Sequence, residues 1–396
     1  MIASLQLPTK ISHSQPVESL EIELLLNCVR TIVDQDHIVK IRALIQPELD
    51  WNYLLSTAVA HGVIPLLAYN LTNICSEAIP RHILLQLQNY LQSNALNNLG
   101  LTHQLMNILQ FLELNKIPAI PFKGIVLATS VYRNPLLRKI SDLDILVHSQ
   151  DMPRAKDLLM AQGYKIRNEV PWECHLIKDN GINIDLHAEI APQHISCPLQ
   201  SDELWQHLEP LSLGETTVSN LSPEMLLFVL CLNGSKECWR SLSRICDVAE
   251  LINSDRQIDW QLIMQQAEQW GFKRVICLGC LLAQNFLGVT LPNLIWQQIQ
   301  SDLTTQSLAL EVRKNLFVSG TEPIGEVERT IFCIRTRERW QDKVQSSWGI
   351  VTFSGGMKPS QNDRDFLILP KFLYFIHYII RPFRIIGKYC FRNKLG

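Results

Sequence analysis

Ile140-Ser141-Asp142-Leu143-Asp144-Ile145-Leu146-Val147 alternates polar and apolar residues and then closes on an apolar run. That pattern predicts a strand with one buried face. Asp142 and Asp144 are two residues apart, so on a strand both carboxylates leave the same face. Two carboxylates held that close repel unless a cation lies between them. An Asp-x-Asp pair alone is common on solvated strands, so the question is what else joins it. Ile182-Asn183-Ile184-Asp185-Leu186-His187 alternates in the same way, with apolar residues opposite Asn183, Asp185 and His187. If the two strands are neighbours, Asp185 makes a third convergent carboxylate. Three such groups suit one or two divalent ions working on a phosphoryl or nucleotidyl displacement.

Upstream, Ile117-Pro118-Ala119-Ile120-Pro121-Phe122 is apolar, and its prolines exclude a helix, so it reads as extended. Lys123-Gly124 follows, then a helical spacing from Ile125 to Tyr132, ended by Asn134-Pro135. A glycine at a strand-to-helix junction lets backbone approach a phosphate, and Lys123 adds a point charge for triphosphate oxygens. Arg138 offers a bidentate phosphate contact, against the plainer reading of a surface charge. His187 shares the face of Asp185; it either orients a phosphate or a metal-bound water, or is a structural histidine bonded to a carboxylate. Downstream, Met152 to Gln162 reads as a helix stopped by Gly163. Tyr164–Ile166, Cys174–Ile177 and Ile182–Leu186 read as strands, with Asp179-Asn180-Gly181 as a hairpin turn.

The organisation reads as five parts. Residues 1–18 form a loose arm, 19–115 an N-terminal helical region, 116–195 the α/β core, 200–310 a C-terminal helical region, and 311–396 a polar linker and basic apolar tail. Within 85–114 the spacing predicts one long helix or two in line, and after Pro198 the helical pattern is read as running to about Phe286, with stops at Gly271 and Gly288. The fold class is therefore α+β, a small mixed sheet flanked by helices.

Apolar residues are 47% and charged residues 19% of the 396, which excludes a disordered chain. A formal charge of −2 leaves no global basic surface for nucleic acid, so a long nucleic acid is the least expected partner. Eleven cysteines are too sparse for a disulfide scaffold, and Cys277-x-x-Cys280 sits in an apolar helical stretch, where packed thiols are expected. Met1 to Glu18 carries no recognisable export or organellar signal, which makes the cytoplasm the expected location. Leu367 to Gly396 carries six Lys or Arg and no acid; its apolar run is too short and interrupted to span a bilayer, leaving helix docking or peripheral membrane contact. Asp247, among Ile245, Val248 and Leu251, either reaches the site or caps a neighbouring helix, the structural reading being the favoured one.

Pro121-Phe122-Lys123-Gly124, the run from Arg138 through Ser141-Asp142-Leu143-Asp144 to Val147, and Ile184-Asp185-Leu186-His187 together resemble the uncharacterised bacterial nucleotidyltransferase family of the polymerase-beta-like superfamily. The resemblance spans roughly residues 20–290. It departs from the family in lacking histidines near Asn233-Gly234 and Glu237. It implies Mg²⁺ (or Mn²⁺) on Asp142, Asp144 and Asp185 and NMP transfer from an NTP. The residues themselves are read as an NTP cradle of Lys123, Gly124, Arg138 and Ser141, with Asp185 holding the catalytic metal or acting as base for the acceptor, and the acceptor as a hydroxyl or phosphate on a small molecule or protein rather than nucleic acid. The rival from another class is a non-catalytic nucleotide sensor or scaffold on the same fold. A metal-dependent phosphohydrolase is disfavoured, since its usual histidine-rich signatures are missing.

Overall fold

Five strands make one sheet: β1 (Ala119–Pro121), β2 (Leu143–Val147), β3 (Lys165–Val170), β4 (Glu173–Ile177) and β5 (Asn183–His187), in the order β1-β2-β5-β4-β3. Only β2 and β5 run parallel; the other pairs are antiparallel. The computed structural model describes residues 19–179, 181–191, 204–317 and 326–353. The N-terminal arm, Asn180 of the expected turn and the basic tail lie outside the described residues.

The two faces of the sheet follow from strand alternation. Leu143, Ile145 and Val147 of β2, Cys174 and Leu176 of β4, and Ile184 and Leu186 of β5 point into one apolar cluster. Its other walls are α6 (Gly124–Ser130), α7 (Met152–Ala161) and the second half of α5 (Arg81–Leu114). The intervening residues, Asp144, Glu173, His175, Asp185 and His187, are left for the opposite face. The strand expected from Ile140 begins only at Leu143, and Asp142 stands in a bend just before it.

α5 is a single helix of 34 residues, about 51 Å long at 1.5 Å per residue. Before it lie α1 (Leu20–Cys28), α2 (Gln35–Leu44), α3 (Trp51–Ala60) and α4 (Ile64–Ile74). Ser19, Asp34 and Asp50 cap the first three by accepting from Ile22, His37 and Tyr53 backbone N–H groups.

The stretch after Pro198 is not wholly helical. Leu208–Leu213 and Thr216–Leu221 pair as a hairpin, β6 and β7, turning at Gly214 with φ +62°. Pro210 excludes a regular helix there, and Thr216, Thr217 and Val218 favour extended backbone. Helices then resume: α8 (Pro223–Lys236), α9 (Leu242–Asn253), α10 (Trp260–Trp270) and α11 (Lys273–Leu287). The expected stops Gly271 and Gly288 are both left-handed C-caps. α12 (Asn293–Ser301), α13 (Leu303–Leu316), α14 (Glu326–Arg335) and α15 (Trp340–Phe353) follow, so part of the stretch read as a polar linker is helical.

These helices enclose a second, larger apolar cluster with Trp239 at zero exposure in it. A Cβ on Gly234 would stand 2.5 Å from the Trp239 ring, and one on Gly279 2.4 Å from Cys231 Sγ. Glycine is what lets α8 and α11 close around that indole. Cys277 and Cys280 are buried there as free thiols, and burial pushes Cys277 up to about 12, as expected of inert core groups. Among the described residues, no helix is long and apolar enough to cross a membrane.

Candidate active site

β2 and β5 pair so that Asp144 stands directly opposite Asp185, with His187 two residues further along β5. The parallel register thus converts two separate alternations into one acidic face. Asp144 Oδ1 accepts from Lys123 Nζ at 3.0 Å and lies 3.1 Å from His187 Nε2. Burial alone would raise the Asp144 carboxyl, but Lys123 and His187 outweigh it and hold the group well below the usual carboxylate range. The Phe122 and His187 rings meet edge to face with centroids 5.0 Å apart, and Lys123 Nζ lies 4.7 Å above the Phe122 ring.

Asp142 has the opposite balance. Burial, then the charges of Asp144 and Asp185, push its carboxyl above the ordinary value, against the pull of Lys123 and a hydrogen bond from Ser141. The charges of Asp144 and Asp185 thus both bear on Asp142, and the repulsion falls there.

Lys123 reaches this face because of Gly124. At φ +50° that residue occupies the left-handed region, and a Cβ there would rest 3.5 Å from the Asp142 carbonyl oxygen. The glycine makes the turn out of β1 that leaves Lys123 over the carboxylates.

Two further side chains on the same face were not singled out from the sequence. His175 Nδ1 is 2.6 Å from Asp185 Oδ1, and His175 Nε2 is 3.3 Å from Glu173 Oε1. Burial disfavours charge on His175, yet Asp185 and Glu173 overcome it and raise its pKa. The signal was present: Glu173-Cys174-His175-Leu176-Ile177 alternates as β5 does, and β4 pairs with β5 so that His175 meets Asp185.

The donor atoms of Asp144, Asp185 and His187 lie within 4.8 Å of one another, as do those of Glu173, His175 and Asp185. Converging carboxylate oxygens with an imidazole, crowded enough to disfavour charge on Asp142, fit a divalent cation by donor type and by charge.

Arg138 is placed differently from the rest. Its Nε and one terminal nitrogen each lie 3.0 Å from the two oxygens of Asp247 on α9, a bidentate pair, and Tyr132 donates its hydroxyl to the same carboxylate at 2.7 Å. Asp247 is thus structural, as its apolar helix suggested. Lys123, Ser141, Asp142, Asp144, Asp185 and His187 are brought together; Gly124 acts through the backbone, and Arg138 spends one edge of its guanidinium on Asp247.

A family model described as "Uncharacterised nucleotidyltransferase" matches residues 47–288. No match to a curated protein was found. Among solved structures, an antigenic nucleotidyltransferase-like protein from Paracoccidioides brasiliensis is similar at 12% identity, covering 43% of this chain and 87% of that one, with a TM-score of 0.28.

Proposed function

Since this chain belongs to the uncharacterised nucleotidyltransferase family, we propose that it transfers a nucleoside monophosphate from an NTP to a hydroxyl or phosphate on a small molecule or protein. The acceptor oxygen bonds to the α-phosphorus as the bond to pyrophosphate breaks, and pyrophosphate leaves; the proton of a hydroxyl acceptor passes to Asp185, while a phosphate dianion has none to lose. The observation that carries this reading is the register that sets Asp144 against Asp185 with Asp142 beside them. These three aspartates would hold a divalent cation such as Mg²⁺, which would supply charge neutralisation on the phosphates.

The chain's own groups have separable tasks. Lys123 exchanges its contact with Asp144 for triphosphate oxygens, and the Gly124 turn and Ser141 shape the space beside them. His187 keeps Asp144 oriented, while His175, braced by Glu173, does the same for Asp185. The reading predicts a thermal shift with one NTP that requires Mg²⁺ and disappears in Asp142→Asn/Asp144→Asn. Transfer of α-³²P label to an acceptor, lost in the same variant, completes the test. No Mg²⁺-dependent shift with any of the four NTPs refutes the reading and leaves a scaffold on a nucleotidyltransferase fold.

A further inference from the structure

The long helix α5 carries two apolar faces. One is buried: Ile83 and Leu87 enter the larger cluster, and Leu101, Leu105, Ile108 and Leu112 enter the cluster under the sheet. Leu85, Leu96, Leu99 and Leu114 belong to the other and are 51–76% exposed. At about 100° per residue these four fall within a sector of roughly 60°, half a turn from the buried stripe. They extend over about 44 Å of the helix at 1.5 Å per residue. No described residue covers them.

The exposed face is also uncharged. From His82 to Leu112 the helix has no Lys, Arg, Asp or Glu, and the residues between its exposed leucines include the amides Gln88, Asn89, Gln92 and Gln110. Solvated surfaces carry about 25–35% charged residues, whereas the centre of a protein interface is depleted of them. Charge returns only at the two ends, with Arg81 and Glu113. Both are exposed, and neither has an ion pair among the described residues. They stand about 48 Å apart on the same flank of the leucine face.

Gly100, next to Leu99, is the second observation. It is exposed, it is not in the left-handed region, and a Cβ there would meet nothing within 4 Å among the described residues. Gly234 and Gly279 differ, since Trp239 and Cys231 leave no room for their Cβ atoms. Glycine inside a helix is less favourable than alanine because it has more backbone freedom to lose. No contact within the described chain calls for one at 100. A second backbone approaching the middle of the leucine face does.

We propose that this face of α5 is the interface of a homodimer, in which two copies of the helix pack antiparallel about a two-fold axis near Asn97. The end charges choose the direction. A parallel pair sets Arg81 against its own counterpart, whereas the antiparallel pair sets Arg81 of each chain against Glu113 of the partner subunit, at both ends of the contact. Leu96 and Leu99 then meet their counterparts at the axis, where Gly100 lets the helices approach to the ~8–10 Å of close packing. A strip 51 Å long and about 10 Å wide covers roughly 500 Å² per protomer, or about 1,000 Å² in all. That is the lower bound of a specific interface, so the dimer dissociates in the micromolar range. Asn94 and Asn98, which hold the loop before β2, leave α5 on its other side, so the interface backs the helix without entering the carboxylate face.

Sedimentation velocity of the full chain, over a concentration series reaching ~100 μM, tests the assignment. The chain should pass from monomer to dimer within that series. Leu96→Glu with Leu99→Glu sets carboxylates against one another at the axis and should leave a monomer whose Tm, read at low concentration, matches that of the unaltered monomer. Gly100→Leu, which has open space within its own chain, should weaken association tenfold or more. Arg81→Glu should do the same, and Arg81→Glu with Glu113→Arg should restore the dimer, which neither a parallel pair nor an interface elsewhere on the molecule would show. A chain that stays monomeric throughout, a dimer indifferent to the leucine and glycine changes, or a charge swap that restores nothing overturns the proposal. A monomeric chain whose Tm falls in the leucine variant also overturns it, and shows the face covered by another segment of the same chain.

Discussion

Asp142 and Asp144 are chemically identical and two positions apart, yet the fold treats them oppositely. Asp144 has Lys123 and His187 against one oxygen; Asp142 faces two other carboxylates. Neutralising each should therefore move stability in opposite directions. Asp142→Asn keeps an acceptor for Ser141 and removes repulsion, so the metal-free protein should gain on the order of 1 kcal/mol, about 1–2 °C in Tm. Asp144→Asn leaves Lys123 without its carboxylate and should cost about 1–3 kcal/mol. Thermal melts in EDTA measure both, and a loss of stability in Asp142→Asn would mean that the three carboxylates do not repel in the folded chain. A stabilising change at a residue required for Mg²⁺-dependent binding is the expected mark of a site kept at the expense of stability.

At the scale of elements, α5 does more than cover the sheet. Asn98, with 1% exposure, satisfies two carbonyls of the loop leading to β2. Asn98→Ala should cost about 2–3 kcal/mol in urea unfolding and also loosen the approach to Asp142, weakening Mg²⁺–NTP binding. An unchanged unfolding midpoint would show that the loop holds itself. The asparagines were visible in the sequence as a polar stripe on a leucine-rich helix, but their partners lie about forty residues away and no local period points to them.

A second joint closes the α3–α4 corner onto α9. His61 Nδ1 accepts from Leu242 N–H at 3.2 Å, and burial lowers this histidine from 6.5 to about 4. The unfolded chain therefore binds a proton here that the folded chain refuses, so this contribution is complete above pH 6.5 and is lost as pH falls toward 4. At ~1.4 kcal/mol per pH unit the window amounts to about 3 kcal/mol. His61→Asn, which keeps an acceptor near the Nδ1 position without titrating there, should flatten the fall in unfolding free energy between pH 6.5 and 4. An identical slope in the variant would assign the acid sensitivity elsewhere.

Across the whole molecule, the link between the sheet and the helical layers is the Arg138–Asp247 pair, 109 residues apart in the chain. Tyr132 completes it, and burial pushes that hydroxyl well above its ordinary pKa, with Asp247 adding to the effect. Breaking one side of a buried pair strands the other charge, so Arg138→Ala should cost about 3–5 kcal/mol. Arg138→Met with Asp247→Leu should cost far less than the two single changes together, and a double-mutant cycle by thermal unfolding reads the difference. Strict additivity would mean the two groups act independently. The pair also explains why Arg138 was legible only as a charge near the aspartates: nothing within twenty residues of it shows where its carboxylate lies.

What the sequence determined by itself is what short range controls. Alternation at 143–147, 173–177 and 183–187 set which side chains share a sheet face, because a strand repeats every two residues whatever it pairs with. Gly271 and Gly288 ended helices, and buried Cys277 and Cys280 followed from their apolar run, for equally local reasons. The tertiary structure decided the rest: that β2 and β5 run side by side with Asp144 opposite Asp185, that Lys123 and His187 share one oxygen, and that Arg138 answers Asp247. It also placed a hairpin at 208–221, against the expectation of helix. A one-residue change of strand register would turn every side chain of β5 to the other face, and only the packing of whole layers forbids it. Register and long-range ion pairs are selected by that packing, which no local period records.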